Sequence, residues 1–147
     1  MMRATLVDRP IDLSALCGEI ANPRHGALTT FIGTVRNRND GRAVVALDYS
    51  AYPEMAEREL ERIATEAVAR WPECDLLVEH RVGHLALGDT AVAVVAAAPH
   101  RDTAFAACRY LIEEVKRRVP VWKREHYADG TREWVNQVPA SSFTPPK

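Results

Sequence analysis

Lys116 and Lys123 stand seven residues apart in the stretch "EEVKRRVPVWKRE", and apart from Lys147 they are the only lysines in the chain. Sixteen arginines carry the rest of the permanent positive charge. A guanidinium keeps its proton in a protein, whereas a desolvated lysine amine can release one and act as acid, base or nucleophile. Placing both internal lysines in one short stretch therefore suggests amine chemistry. Spacing alone favours a plainer reading, in which a snorkelling lysine at a helix end is followed by a charge-protected edge strand. Lys116 lies four residues after Ile112 and next to Val115, so its stem sits at the rim of an apolar stripe. Pro120 ends the helix and turns the chain. Beyond it, Lys123 and Glu125 share one side of an extended segment.

Two further stretches could receive an anion. In "AAAPHRDT", an apolar strand gives way to a helix that starts near Thr103, with Asp102 as its N-cap candidate. Helix N–H groups beside His100 and Arg101 would favour negative charge, although a solvated loop fits the same residues. In "GTVRNRNDGR", Arg36, Arg38 and Arg42 surround one turn, a pattern also common on plain surfaces. His80 and His84, with Cys74 and Glu79 nearby, could share a strand face. They lack paired cysteines and the HExxH pattern, so strand packing is the better reading and no metal site is expected. Cys108 sits within a helical stripe and reads as core, not nucleophile. GxSxG, P-loop and GxGxxG motifs do not occur, which leaves triad hydrolase and dinucleotide chemistry without support.

The elements that must position these residues follow from periodicity. "RATLVD" reads as a strand, and Asp12 caps a helix carrying Leu13, Leu16, Cys17 and Ile20. "ALTTFIGTV" and "AVVALDYSAY" form a hairpin around Asp40-Gly41. Pro53 opens a long helix running to about Trp71. "DLLVEHRVGHL" and "TAVAVVAAA" make a second strand pair around Gly88-Asp89. The next helix bears Phe105, Cys108, Leu111, Ile112, Val115 and Val119 on one stripe, while Glu113, Glu114, Arg117 and Arg118 form a solvated face. "VWKREHY" and "REWVNQV" close a third hairpin. Hairpins alternating with single helices predict an α+β domain with a largely antiparallel sheet and three helices. Residues 1–138 are expected to form one domain and 139–147 a flexible tail.

The composition, 47% hydrophobic and 27% charged over 147 residues, is that of one globular domain. A net charge of −1 gives no overall attraction to nucleic acid or anionic membrane. Three cysteines without CxxC spacing, no apolar leader and no membrane-length apolar run predict a soluble, cytoplasmic protein.

Four segments, "GALTTFIGTVRN", "YPEMAERELERIATEA", "HRVGHLALGDTAVAVVAAAPHRDTAFAAC" and "VKRRVPVWKRE", together resemble the large, catalytic subunit of molybdopterin synthase. They appear in that family's order and cover most of residues 26–125. The resemblance implies an α/β hammerhead-type fold and a homodimer at the core of a heterotetramer. It also implies a small ubiquitin-like sulfur-carrier partner whose Gly-Gly tail ends in a thiocarboxylate. The implied activity is that of a sulfurtransferase converting cyclic pyranopterin monophosphate to molybdopterin in molybdenum cofactor biosynthesis, without a cofactor of its own. Residue by residue, Lys116 matches the principal catalytic lysine and Lys123 a second one. Arg36, His100 and Arg101 match anion-binding positions, Arg124 and Glu125 adjoin the pterin position, and Phe31 and Val115 line the partner-tail channel. One departure stands out. Family members can carry a basic residue shortly after the terminal "WV", contributed to the neighbouring protomer's pocket, and here none occurs between Arg132 and Lys147.

Two other functions are compatible with a basic pocket. One is a non-catalytic module binding a phosphorylated ligand, and the other a small acyl-phosphate hydrolase. Lysine at 116 and 123 favours the transferase, and a hydrolase needs no channel for a peptide tail.

Overall fold

The computed structural model describes residues 1–136, so the expected tail at 139–147 lies outside the described residues. The chain runs β1 (Met2–Val7), α1 (Leu13–Ile20), β2 (Ala27–Thr34), β3 (Arg38–Asn39), β4 (Arg42–Ala51), α2 (Pro53–Arg70), β5 (Asp75–Arg81), β6 (Gly83–Ala86), β7 (Thr90–Ala98), α3 (Arg101–Arg118), β8 (Val121–Tyr127) and β9 (Arg132–Asn136). Three helices and largely antiparallel strands give the expected α+β architecture, and β1 against β5 is the parallel exception.

The strands form two sheets. The first has the order β1-β5-β7-β2. Its strand β7 reads as an unbroken apolar run because both faces are covered, which removes any reason for polar alternation. Leu76, Val78, Val94 and Ala96 pack beneath α2 and α3. Leu77, Ala93, Val95 and Ala97 pack on the other side against Leu16 and Ile20 of α1. The Asp12 side chain caps α1, accepting a hydrogen bond from the Ala15 N–H at 3.1 Å. In the second sheet β4 is central, with β8 and then β9 on one side, and β3 and β6 pairing with β4 on the other.

Several local expectations change. Strands β2 and β4 do not pair with one another. The turn at Asp40-Gly41, both with positive φ, joins the short β3 to β4, while β2 pairs with β7 in the other sheet. "DLLVEHRVGHL" is two strands, because Gly83 takes φ 105° and redirects the chain. Strand β5 therefore stays with β7 and β6 crosses to β4. Helix α3 starts two residues earlier than expected, with His100 at the N-cap and Asp102 inside the first turn. Arg118 is not part of a solvated face. Its guanidinium bonds Glu59 at 2.8 Å and Glu66 at 2.6 and 3.0 Å, clamping α3 to α2. Among the described residues, no helix is long and apolar enough to cross a membrane.

Candidate active site

Period-two alternation along β4 and β8 decides which side chains meet. Leu47 and Tyr49 of β4 point to the same side of the second sheet as Lys123 and Glu125 of β8, where they line a cavity of about 410 Å³. Thr34 and Arg36, at the end of β2, enter it from the first sheet, and Asn39 contributes from the β3 turn. Lys116 reaches it from the last turn of α3. Pro120 breaks the chain between the helix and β8, so the two lysines approach one space from different directions.

The cavity is cationic but not unbalanced. Glu125 is only 2% exposed, and its Oε1 accepts a hydrogen bond from Asn39 Nδ2 at 2.5 Å. Burial lowers the pKa of the Lys123 amine below its ordinary range. Glu125 opposes that shift, while the positive charges of Lys116 and Arg36 push the same way as burial. Tyr49 meets the ring of His80 edge-on at 5.1 Å. His80 is held neutral, with a pKa of about 4, chiefly because burial penalises its charged form and also because Lys116 is near. Its Nδ1–H donates to the Arg81 carbonyl at 3.0 Å, which fixes the tautomer.

Lys116 also borders a second space. An apolar groove of about 1000 Å³ runs between β2 and α3, lined by Leu28, Phe31, Phe105, Cys108 and Ile112, and Lys116 stands at its end. Phe105 is 62% exposed, an unusual position for a phenyl ring. One amine thus borders both an apolar groove and a polar pocket.

The remaining expected site residues are dispersed. Arg124 lies between Lys123 and Glu125 in sequence, so alternation sends it to the opposite face of the sheet. There it donates to Asp48 Oδ2 at 3.0 and 3.2 Å. Val115 does not line the groove, because it is 3% exposed and packed into the core below α3. His100 and Arg101 are exposed at the start of α3, about 24 Å along the helix from Lys116 at 1.5 Å rise per residue. Arg42 is occupied on the surface, stacked 3.5 Å above the Tyr127 ring. Sequence reasoning missed Tyr49, Asn39 and Phe105. The parity of Leu47 and Tyr49 in β4 was readable, but not which face of β4 would meet Lys123.

Fold and site define a small α+β protein whose pocket, lined by Arg36, Lys116 and Lys123, adjoins an apolar groove. The chain belongs to the MoaE protein family, whose model matches residues 6–118. It is 40% identical over 142 residues to the molybdopterin synthase catalytic subunit of Halalkalibacterium halodurans, an alignment covering 96% of this chain and 90% of that protein. It is 43% identical over 130 residues to the protein of the same name from Pyrococcus abyssi, covering 87% and 88%. The crystal structure of molybdopterin synthase from Staphylococcus aureus superposes with a TM-score of 0.85 at 35% identity, covering 90% of this chain and 96% of that one.

Proposed function

We propose that this chain is the catalytic subunit of a molybdopterin synthase. It takes sulfur from the thiocarboxylate tail of a small ubiquitin-like subunit and transfers it to cyclic pyranopterin monophosphate. The observation that carries this reading is the placement of Lys116 where groove and pocket adjoin. A slender Gly-Gly tail fits the groove beside Phe31 and Phe105, and a pterin phosphate fits a pocket holding Arg36, Lys116 and Lys123. Both ligands are anions, so several cations are needed to bring their reacting atoms together.

In this reading the Lys116 ammonium stabilises the tetrahedral anion that forms as the thiocarboxylate couples to the pterin, and it relays the proton. Lys123 has a lowered amine pKa and serves as the second proton carrier. Buried Glu125 acts on it through its negative charge and limits the local excess of positive charge. Arg36 anchors the phosphate. Arg124 acts through the sheet and does not touch substrate. His100 and Arg101 are too far from Lys116 to serve the same substrate in one chain, so they do so only from a second copy in a homodimer. The three free cysteines fit a reducing compartment, the cytoplasm.

The test is reconstitution of the full chain with the cyclic pterin precursor and a thiocarboxylated small subunit. Lys116→Arg keeps the charge but replaces the amine with a guanidinium, so product formation should fall by about 10²-fold or more. Undiminished turnover by Lys116→Arg, with both ligands bound normally, would remove the amine from the mechanism.

A further inference from the structure

The face of the second sheet turned away from the pocket carries a cluster that the transfer chemistry does not use. Asp48 lies at the middle of β4, paired across the strands with His84 of β6 on one side and Arg124 of β8 on the other. His126, two residues beyond Arg124, projects from that same face. His84 Nδ1 lies 2.7 Å from Asp48 Oδ1, and His126 Nε2 lies 2.6 Å from Asp48 Oδ2. The two imidazole rings are 5.8 Å apart between centroids, and one donor atom from each of the three residues falls within 4.8 Å of the others. The neighbours Ala46 and Ala86, paired across β4 and β6, reach no further than Cβ.

We propose that Asp48, His84 and His126 form a binding site for a zinc-class divalent metal ion, with its remaining coordination positions open to solvent. Two neutral imidazoles and one carboxylate are a donor set that borderline first-row ions favour. The imidazole N–H protons now shared with Asp48 occupy the place where the ion would sit. Binding replaces them: the His84 proton moves to Nε2 and the His126 proton to Nδ1, the ring nitrogens that do not face Asp48. Asp48 already accepts hydrogen bonds from His84 on Oδ1 and from His126 and Arg124 on Oδ2, so both of its oxygens are presented on this face of the sheet. Arg124 remains on Oδ2 as an outer partner that fixes the carboxylate, a role such ligands commonly require. Its guanidinium lies 5.1 Å from the Trp134 ring, which holds it beside the site. The ligands come from three strands, so the ion would tie β6 and β8 to β4 directly behind Tyr49, Lys123 and Glu125. This differs from the pairing of His80 with His84 considered from the sequence. His80 faces the interior, and the strands separate it from His84.

The site is tested by titrating the metal-free full chain with zinc in a calorimeter and with cobalt in the visible spectrum. The expected result is one ion per chain, with a cobalt spectrum of nitrogen and oxygen ligands and no thiolate charge-transfer band. His84→Ala and His126→Ala should each weaken binding by at least about tenfold, since outer-shell partners alone are worth about that much. The His84 side chain is 66% exposed, so its removal should leave the fold intact, as circular dichroism would verify. Arg109→Ala, remote on the α3 surface, should bind like wild type. Three outcomes overturn the proposal: no zinc binding, unchanged affinity in both histidine variants, or a thiolate band pointing to a cysteine. None of these readouts depends on sulfur transfer.

Discussion

Lys116 and Lys123 reach one cavity from different elements, the first from the last turn of α3 and the second from β8 beyond the bend at Pro120. Burial makes the Lys123 amine hold its proton less tightly, and the positive charge of Lys116 across the same half-buried space pushes in the same direction. Substituting its neighbours should move the Lys123 pKa in opposite directions. Lys116→Ala removes a repelling charge and raises it, whereas Glu125→Gln removes an attracting charge and lowers it. NMR titration of ¹³C-methylated lysines reads both shifts. If neither variant moves the Lys123 resonance, the lysines are not electrostatically coupled through the pocket.

His80 gives the fold a pH dependence of known sign. Its pKa is about 4 in the folded chain against an ordinary 6.5, so the unfolded chain binds more protons between those values. Stability is therefore full above about pH 6.5 and falls as pH drops toward about 4, with a slope of at most about 1.4 kcal/mol per pH unit. Below that window this group costs no more. Urea unfolding at a series of pH values should show the slope, and His80→Phe should flatten it while keeping an aromatic edge against Tyr49. An unchanged slope in that variant would assign the dependence to other groups.

The elements were largely legible because each carries its own period. The apolar run of β7, the Pro53 start of α2 and the stripe of α3 needed no tertiary information. What could not be read was partnership. The hairpin expected between β2 and β4 rests on their being neighbours in sequence, yet Gly83 frees β6 to pair with β4, and β2 goes to β7. The same limit governs the site. Lys123 and Glu125 were placed together by alternation, and alternation equally excludes Arg124, although the family likeness had grouped all three. His100 and Arg101 were read from the helix start in "AAAPHRDT", and the likeness then placed them with Lys116. Helix geometry then separates them from Lys116 by the length of α3, a distance that motif order does not encode.

Two glycines should respond to alanine with opposite signs. A Cβ on Gly26 would fall 2.7 Å from the Pro99 carbonyl oxygen, and backbone there cannot step aside without moving the β2–β7 pairing at Ala27 and Ala98. Gly26→Ala should destabilise by about 1–3 kcal/mol. Gly18 lies within α1 with nothing inside 4 Å of its Cβ position. Gly18→Ala should stabilise by about 0.5–1 kcal/mol through lower chain entropy in the unfolded state. Denaturant midpoints for the two variants on opposite sides of wild type confirm both signs.

Phe105 separates partner binding from chemistry. Its ring is exposed on the groove wall, across from Phe31, while the groove's far end is Lys116. An exposed aromatic contributes nothing to the core, so Phe105→Ala should leave the melting temperature unchanged. If the groove receives the tail of the small subunit, the ring acts as an anchor whose loss costs about 2 kcal/mol of binding, roughly a thirty-fold rise in the KM for that subunit. The KM for the cyclic pterin and the kcat at saturating partner should hardly move, because the pocket beyond Lys116 is untouched. A variant with lower kcat and an unchanged KM for the partner would instead place Phe105 against the reacting atoms and relocate the tail.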